Sequence, residues 1–379
     1  MTTHFGSNSG RGMDRLLWKV VSVVLLACGF ASAQTITSFS APGAGTGAGQ
    51  GTGGFGINPQ GTIVGSYLDD GNVFHGYQCV SGCGSADTFT TYNAPGAGTA
   101  ANQGTITFGI NQAGVIVGYD IDSNTVAHGF VTTAPFDTFV ILTEPDAGLA
   151  AGQGTFAGNI NQRGEVAGYY IDANNASHGF VTAPPYRTFT SYDPTGSVFT
   201  LTSIASALNL EGADTGTYFD ASGVLHAYVR AANGTITEYN VKGAGTASGQ
   251  GTSPSSINDL GETTGNYIDS NGVNHGYARR RFGAISTFSV TDGGTGSGQG
   301  TIPEGIDLLG NITGQSIDAN GVNHGFVRDP FGNITIFDAP GAGTASGQGT
   351  IPVTPNELGV ITGQYIDNNN VHFGFIRTP

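Results

Sequence analysis

The stretch Phe108–Gly118, FGINQAGVIVG, followed by Ile121-Asp122 and by His128–Val131, HGFV, contains most of the pattern that decides the fold. Related stretches recur along the chain, and in each of them a small residue follows the position that His128 holds here. This small residue returns every 48 to 53 residues, at Gly76, Gly129, Gly179, Ala227, Gly276, Gly325 and Gly374. Seven repeats of this length fill nearly all of residues 34–379, so the sequence predicts a repeat architecture.

Each repeat contains four short strand patterns. In the second repeat, the Gly-rich Thr105–Ile110 and the alternating Val115–Ile121 are separated by an Asn-x-x-Gly turn. His128–Val131 is the third pattern, and the fourth is of the type Phe89–Tyr92. Asn-Gly and Asp-Gly pairs at the second turns favour tight hairpins. Four antiparallel strands in roughly 40–50 residues is the size of one β-propeller blade.

The two ends of the repeat region distinguish a closed ring from an open stack. The chain stops after a third strand, at Phe375–Arg377, and residues 36–46 match residues 334–344, which contain a fourth strand. A ring uses such a split, because strand 36–40 then completes the last sheet and removes its exposed edge, whereas an open solenoid needs polar caps instead. We predict an all-β, seven-bladed β-propeller with four antiparallel strands per blade, closed by N-terminal strand 36–40, as a single domain over residues 34–379.

Residues 1–33 have the parts of a secretory signal peptide. Basic residues at positions 11, 15 and 19 precede the short apolar run Val20–Ala31, and small residues at 31–33 precede a cleavage site before Gln34. The run is too short for a stable membrane anchor, and no second apolar segment follows. Lipidation at Cys28 is the alternative to plain cleavage. We expect a secreted protein, either extracellular or periplasmic, without a membrane span.

The chain is strongly acidic, with a net charge of −15. The leader carries three cations and one anion, so its removal takes away +2 and leaves −17. Such a surface repels phosphate backbones, and nucleic acid is therefore not an expected partner. The acidity is spread evenly, which indicates solubility, and a cation-binding role is the alternative.

Cys79 and Cys83 are the two cysteines of the predicted mature chain, at a hairpin tip. In an oxidising compartment this spacing favours a local disulfide bond. Free thiols and half of a metal site are the alternatives, although no second Cys pair or nearby His supports the metal.

Asp and His recur with the repeat. Asp occupies the second turn of every repeat, at Asp69, Asp122, Asp172, Asp220, Asp269, Asp318 and Asp367. His follows six residues later at His75, His128, His178, His226, His275 and His324, whereas Phe373 takes this place in the last repeat and His372 comes one position early. We interpret these as structural, with Asp bonded to His or capping its own turn, because identical residues in every blade cannot all converge on one substrate. A ring of metal or acid–base sites, with calcium at the Asp turns, is the alternative.

Gly-Gln-Gly-Thr connectors, or a close variant, link most repeats. They carry Gln50, Gln103, Gln153, Gln250, Gln299 and Gln348. Gly lets a connector cross closely from one blade to the next, and the Gln amides can satisfy backbone groups there. The connectors and Asp turns both follow even-numbered strands and so lie on one face. We take these Asp residues and the Gln residues from Gln103 onward as candidate ligand-binding residues, with the channel mouth on that face as the pocket.

The fourth repeat breaks the pattern. Ser197–Ser206 replace the Gly-Gln-Gly-Thr connector, and Arg279–Arg281 form the only basic cluster of the repeat region, on the opposite face. Either feature is a candidate partner site, and plain drift of a repeat is the alternative.

The His-Gly-Phe and Gly-Ile-Asn-x-x-Gly elements resemble the bacterial extracellular HAF repeat family. The nearest match to the family signature is His226-Ala227-Tyr228, and the resemblance covers essentially all of the predicted mature chain. It implies export from a bacterial cell and brings no established activity or catalytic residues.

No catalytic constellation stands out, so we expect an exported, monomeric, non-catalytic propeller without a cofactor that binds a glycan, protein or small ligand or acts as a surface scaffold. The alternatives are a propeller lyase or hydrolase acting at the channel mouth, and a purely structural protein with calcium-stabilised turns.

Overall fold

The structure, a computed structural model, describes residues 34–85, 88–203 and 207–379. The predicted leader at residues 1–33, including Cys28, lies outside these residues. Within the described ranges the chain forms 28 β-strands and a short 3₁₀ helix at Ser81–Cys83, and the all-β prediction is confirmed. None of the described residues belongs to a helix that is long and apolar enough to cross a membrane.

The strands in chain order are β1 (Thr35–Phe39), β2 (Gly51–Ile57), β3 (Ile63–Leu68), β4 (Phe74–Cys79), β5 (Phe89–Tyr92), β6 (Gly104–Ile110), β7 (Ile116–Ile121), β8 (Ala127–Thr132), β9 (Phe139–Leu142), β10 (Gly154–Ile160), β11 (Val166–Ile171), β12 (Ser177–Thr182), β13 (Phe189–Tyr192), β14 (Phe199–Thr202), β15 (Asp214–Phe219), β16 (Leu225–Arg230), β17 (Ile236–Tyr239), β18 (Gly251–Ile257), β19 (Thr263–Ile268), β20 (Asn274–Arg279), β21 (Ile285–Phe288), β22 (Gly300–Ile306), β23 (Ile312–Ile317), β24 (Asn323–Arg328), β25 (Ile334–Phe337), β26 (Gly349–Pro355), β27 (Ile361–Ile366) and β28 (His372–Thr378).

The strands follow the sequence repeats, which we number in chain order. Repeat 1 contains β2–β5, each of the next five repeats contains the following four strands, and repeat 7 contains β26–β28. Consecutive strands of a repeat pair antiparallel; in repeat 2, Ile106 lies opposite Tyr119, and Gly129 lies opposite Leu142. The antiparallel order places the first and third turns of each repeat at one end of its sheet and the second turn at the other end.

Neighbouring repeats meet through short parallel bridges. Phe74 at the start of β4 pairs with Gly104 at the start of β6. Gly104 has φ +117°, and a Cβ there would lie 2.1 Å from the Phe74 carbonyl oxygen, so the approach requires glycine. The same kind of bridge joins Gly51 of β2 to His372 of β28.

Strand β1 pairs antiparallel with β28, and Ser38 lies opposite Phe375. Its Phe39 ring meets Tyr77 of repeat 1 edge-on, with centroids 6.3 Å apart. Phe288 of repeat 5 meets Phe326 of repeat 6 in the same way, at 6.1 Å. Strand β1 therefore packs on repeat 1 as the fourth strand of one repeat packs on the next.

The core lies between neighbouring repeats and consists largely of paired aromatic rings. The third strand of each repeat supplies a fully buried ring, at Tyr77, Phe130, Phe180, Tyr228, Tyr277, Phe326 and Phe375. Edge-to-face contacts such as those above favour aromatic quadrupoles in addition to the area that they bury. In four repeats an Arg covers the fourth-strand ring of the preceding repeat at 4.6 to 4.9 Å, at Arg230, Arg279, Arg328 and Arg377.

Side-chain amides join the first turns of neighbouring repeats. Asn111 Oδ1 accepts the Val115 N–H and closes its own turn, while Asn111 Nδ2 donates to the Asn161 carbonyl at 3.1 Å. The same donation runs from Asn58 to Asn111, from Asn161 to Asn209, from Asn209 to Asn258, from Asn258 to Asp307 and from Asn356 to Asn58. Asp307 has no side-chain N–H to donate to repeat 7, so the series is interrupted there.

Candidate functional site

The recurrent Asp residues close the second turns. Asp69 Oδ1 accepts the N–H groups of Gly71 and Val73 at 2.8 and 2.9 Å, and Asp69 Oδ2 lies 3.1 Å from His75 Nε2. Burial alone would raise the pKa of Asp69, but these hydrogen bonds outweigh it and hold the pKa below its usual value. The His75 ring also stacks on Tyr67, with centroids 4.9 Å apart. Both carboxylate oxygens are therefore engaged within the hairpin.

The other repeats keep this arrangement with local differences. The Asp–His distance is 3.5 Å for Asp122 and His128, 3.8 Å for Asp172 and His178, 3.3 Å for Asp220 and His226, 3.2 Å for Asp269 and His275, and 3.8 Å for Asp318 and His324. In repeat 7, Asp367 caps its turn through the N–H groups of Asn369 and Val371. There Phe373 stacks on Tyr365, in the place that His75 takes on Tyr67.

The connector Gln residues tie the connectors to the Asp turns. Gln50 Oε1 accepts the Gly47 N–H at 2.8 Å, and Gln50 Nε2 donates to Asp70 O and to Asn72 Oδ1, both at 3.1 Å. Equivalent contacts are made by Gln103, Gln153, Gln250, Gln299 and Gln348. Connectors and Asp turns thus share one surface, which we call the Asp-turn face.

The predicted Asp and Gln ligands are thus brought to one face, but their polar atoms serve turns and connectors. Within the described parts of the chain, no three His, Cys, Asp or Glu side chains are arranged to hold a metal ion.

A cavity of about 320 Å³ lies near the Asp-turn face, where repeats 7, 1 and 2 meet. Its wall is mostly apolar, and Phe55, Tyr67, Phe74, Phe108 and Tyr119 supply the aromatic part. Connector residue Gly49 lies at its Asp-turn end. The volume is within the range of sites that hold small molecules.

The cavity wall includes two small residues at repeat positions that hold larger residues elsewhere. The third residue of the first strand is Gly53 in repeat 1, whereas repeats 2 and 3 have Ile106 and Phe156. The fourth residue of the second strand is Ser66 in repeat 1, whereas most other repeats have Tyr, Asn or Gln there, such as Tyr119 in repeat 2. A Cβ at Gly53 would lie 2.8 Å from Phe55 Cζ and 2.9 Å from Gln364 Oε1, so these groups occupy that space and the short side chain of Ser66 is the departure that leaves room.

Aromatic rings continue from the cavity wall into the next repeats. Ring centroids are 5.5 Å apart for Phe55 and Phe108, 5.7 Å for Phe108 and Tyr119, and 5.0 Å for Tyr119 and Phe156. Burial raises the pKa of Tyr119 to about 12, so its hydroxyl is neutral at pH 7. This side of the cavity offers ring faces and edges to a flat apolar group.

Gln364 and His372 supply polar groups to the same cavity. His372 Nδ1 lies 3.2 Å from Gln364 Oε1. Because an amide oxygen only accepts, this contact favours the tautomer in which Nδ1 carries the proton and Nε2 is an acceptor. Burial lowers the pKa of His372 below 6.5, although Asp367 opposes this, and the ring is neutral at pH 7.

The irregular fourth repeat contains a buried ion pair beside a second cavity. Asp214 accepts hydrogen bonds from the Tyr192 hydroxyl and from Arg230 Nη1. Burial raises the pKa of Asp214 to about 7, even though Tyr192 and Arg230 act in the other direction. Asp214 and Arg230 are both almost completely buried, and Arg230 also lines a cavity of about 210 Å³ between repeats 3 and 4.

The basic cluster is divided among three different contacts. Arg279 lies over the Tyr239 ring, Arg280 pairs with Glu262, and Arg281 pairs with Glu211 across to repeat 4. The three guanidinium groups therefore do not form a common anion site.

Cys79 and Cys83 form a disulfide bond, as the sequence predicts. It closes the turn between the third and fourth strands of repeat 1. Sequence analysis noted His372 as a departure from the repeat but did not connect it with a cavity, and it did not single out Ser66, whose small size at this repeat position was a visible signal.

No protein-family model matches the chain, and no curated protein is similar to it in sequence. Among solved structures it is similar to the BP39L lectin from Burkholderia pseudomallei, at 12% identity and a TM-score of 0.45, over 72% of this chain and 79% of the lectin. It is also similar to TolB from Acinetobacter baumannii, at 9% identity and a TM-score of 0.46, over 83% of this chain and 63% of TolB. The six-bladed β-propeller lectin from the fungus Aleuria aurantia matches at 12% identity and a TM-score of 0.34, over 80% of this chain and 94% of the lectin. Identities this low transfer neither a ligand nor a residue role.

Proposed function

We propose that residues 34–379 form a seven-bladed β-propeller that binds a small ligand in the cavity between repeats 7, 1 and 2. The ring is supported by the pairing of β1 with β28, by the packing of Phe39 on Tyr77, and by the first-turn amides, in which Asn356 of repeat 7 donates to Asn58 of repeat 1. The cavity breaks the near-symmetry of such a ring. One cavity of this kind suits one bound ligand molecule.

The asymmetric aromatic cavity carries the functional proposal. Its wall presents Phe55, Phe108 and Tyr119 on one side and His372 with Gln364 on another. Ring faces favour a flat apolar body, and an acceptor at His372 Nε2 favours one donor group on the ligand. The preferred ligand is therefore a small, mostly apolar, planar molecule with an N–H or O–H group.

A fluorescent probe tests this site directly. N-phenyl-1-naphthylamine is apolar, carries a planar naphthalene ring and one N–H, and emits more strongly in an apolar environment. The one Trp of the chain, Trp18, lies in the predicted leader, so protein that begins at Gln34 adds no Trp emission to the background. We expect saturable binding by the purified protein. A probe that shows no saturable binding would contradict the proposal.

A filling variant and a matched control locate the bound probe. Ser66→Gln introduces the residue that repeat 7 carries at the equivalent position, Gln364, and is expected to weaken binding at least ten-fold by occupying the cavity. Asn266→Gln lengthens a half-buried side chain at the same position of repeat 5 and is expected to leave the affinity unchanged. If wild type, Ser66→Gln and Asn266→Gln bind the probe with equal affinity, and circular dichroism shows that all three are folded, the probe binds elsewhere.

Export from the cell is a second part of the proposal. The sequence pattern of residues 1–33 supports it, and so does the Cys79–Cys83 disulfide, because such bonds persist in oxidising compartments. Fractionation of producing cells and mass spectrometry of the mature N-terminus test it. A cytosolic protein that retains residues 1–33 would contradict it.

A further inference from the structure

The cavity of about 210 Å³ between repeats 3 and 4 has a wall of polar and aliphatic groups, and we call it the Arg230 pocket. Repeat 3 contributes Glu165 of its first turn and residues of β12 and β13, and repeat 4 contributes its first turn and the end of β16. The exposed side chains of Thr188, Thr190 and Ala232 in the wall open it to solvent. None of its described residues belongs to the cavity between repeats 7, 1 and 2.

Ala232 is the departure from the repeat that leaves room for this pocket. Three other repeats have a larger residue at this position: Arg281, Pro330 and Pro379. The larger side chain covers the first-turn glycine of its own repeat, and a Cβ at Gly310 would lie 3.7 Å from Pro330 Cγ. In repeat 4 only the Ala232 methyl group approaches the equivalent Gly212, at 3.5 Å from a Cβ there. The space that a proline ring takes in repeat 6 is therefore open in repeat 4.

Arg230 supplies hydrogen-bond donors to the pocket. Its side chain is 5% exposed and its guanidinium lies over the Tyr192 ring. Within the described residues its one hydrogen bond runs from Nη1 to Asp214, at 3.3 Å, although a guanidinium has five N–H groups. Its Nε is enclosed and has no partner among these residues, so the Nη groups are the donors left for a ligand. A buried guanidinium gains stability when a bound group accepts from such donors.

Glu165 supplies an acceptor to the same pocket. Its Oε2 accepts hydrogen bonds from Asn161 Nδ2 at 2.5 Å and from Arg163 Nη2 at 2.7 Å. In the described structure every hydrogen bond to this carboxylate ends on Oε2, so Oε1 remains an acceptor. The exposed hydroxyls of Thr188 and Thr190 both donate and accept.

The charges in the wall favour a neutral ligand. Glu165 and Arg230 have opposite signs, and each has a counter-ion of its own in the protein, Arg163 and Asp214. A charged ligand group would compete with one of these ion pairs, whereas a hydroxyl group can accept from Arg230 and donate to Glu165 without breaking either pair.

Aliphatic groups and the size of the pocket narrow the class of ligand further. The wall includes Val181, Ala183, Leu208 and Ala232. Such groups suit the C–H face of a sugar ring, whose hydroxyls at the same time suit the donors and acceptors. The volume of about 210 Å³ is below the range of about 300–1,000 Å³ for sites that enclose drug-sized molecules, so the pocket suits one ring.

We propose that the Arg230 pocket binds the terminal sugar ring of a neutral glycan, with Arg230 donating to the ring hydroxyls and Glu165 accepting from them. The rest of the glycan extends past Thr188 and Ala232 into solvent. This site goes beyond the cavity between repeats 7, 1 and 2, because it takes a polar, hydroxylated molecule instead of an apolar one.

Isothermal titration and saturation-transfer NMR with the methyl glycosides of glucose, galactose, mannose, fucose and N-acetylglucosamine test the proposal on the purified protein. At least one glycoside is expected to bind saturably. Ala232→Pro introduces the residue of repeat 6 and is expected to weaken binding at least ten-fold. The Gly234 N–H donates to the Ala231 carbonyl, so position 232 is the second residue of its turn, where proline is favoured.

A second variant tests the acceptor. Glu165→Gln keeps the shape of the side chain but removes its charge, and it is expected to weaken binding at least five-fold, because hydrogen bonds to a charged acceptor are stronger. Glu262→Gln is the matched control, since Glu262 has the place of Glu165 in repeat 5 and lies where Pro330 fills the junction. It is expected to leave the affinity unchanged.

Four results would overturn the sugar site: no glycoside binds saturably, both pocket variants bind as wild type does while circular dichroism shows them folded, Glu262→Gln weakens binding as much as Glu165→Gln, or acetate or glycine binds and no glycoside does. A saturating glycoside is expected to leave the binding of N-phenyl-1-naphthylamine unchanged. Displacement of this probe would place the glycoside in the other cavity, so the two sites are tested independently.

Discussion

Asp120 lowers the free energy of unfolding in a pH-dependent way, and a single substitution is expected to remove this loss of stability. It lies in β7 at the position that holds Tyr67 in repeat 1, and it is 1% exposed. Neither of its carboxylate oxygens has a hydrogen-bond partner among the described residues. Burial raises the pKa of Asp120 to about 6, although the nearby His128 opposes this and Asp122 adds to it. The folded protein therefore binds a proton at Asp120 more tightly than the unfolded chain does.

The size and sign of the effect follow from this pKa. Raising it from 3.8 to about 6 corresponds to about 3 kcal/mol, at about 1.36 kcal/mol per pKa unit. Below pH 3.8 the group is neutral in both states and carries no penalty. As the pH rises towards about 6, the unfolded state ionises first and the folded state loses stability relative to it. Above pH 6 the full penalty is present.

The test compares Asp120→Asn with wild type by urea unfolding across this pH range. We expect equal free energies of unfolding below pH 3.8 and a variant that is more stable by up to about 3 kcal/mol well above pH 6. Taking the difference between the two proteins cancels the titrating groups that do not interact with Asp120. The control is Asp70→Asn at an exposed Asp, for which a difference near zero is expected throughout. A flat difference for Asp120→Asn, or a variant that is less stable at high pH, would refute the reasoning.

Three further predictions concern the cavity, the terminal strand and the disulfide. His372→Asn is expected to weaken probe binding about five- to ten-fold by removing the Nε2 acceptor. Wild-type binding is expected to weaken as His372 becomes protonated, which occurs below pH 6.5 because burial lowers its pKa. Equal probe binding by wild type and variant would show that His372 is not part of the site. Phe39→Ala is expected to lower the free energy of unfolding by about 3–5 kcal/mol, whereas Thr37→Ala at an exposed position of the same strand is expected to change it little. Similar small losses for both variants would mean that β1 does not pack on repeat 1. The Cys79–Cys83 bond closes only a short loop, so its reduction is expected to lower the free energy of unfolding by about 2 kcal/mol, as measured by urea unfolding with and without reductant. A loss of the entire fold would contradict this.

The repeat period and the turn residues made the strand content predictable. The fold repeats one unit, so each local pattern was seen several times, and irregular copies did not obscure it. Asp69 and His75 recur at a fixed spacing across a tight hairpin, so a contact between them follows from cross-strand geometry. The role of Gln50 in satisfying backbone groups follows similarly from the demand of a Gly-rich connector for hydrogen-bond partners.

The cavity was not predictable from any one repeat. Ser66 leaves room for it by being small, and this effect depends on which neighbours face Ser66 after repeat 7, distant in the sequence, has come together with repeats 1 and 2. The exposed state of Phe282, in the turn between the third and fourth strands of repeat 5, was equally hidden, because Phe136 at the comparable turn is covered by Tyr92. Sequence patterns indicate the direction of a side chain along a strand, but not whether a neighbouring turn folds over it.

The interruption at Asp307 shifts the fastening of repeats 6 and 7 to the opposite end of their sheets. At the first turns, every other junction described above has an amide hydrogen bond, and among the described residues this junction lacks it. At the Asp-turn end, Asn323 Nδ2 donates to the Gln348 carbonyl at 2.9 Å. Between the two ends, the Phe337 and Phe375 rings meet edge-on with centroids 6.1 Å apart, so the junction keeps both a polar and an aromatic contact.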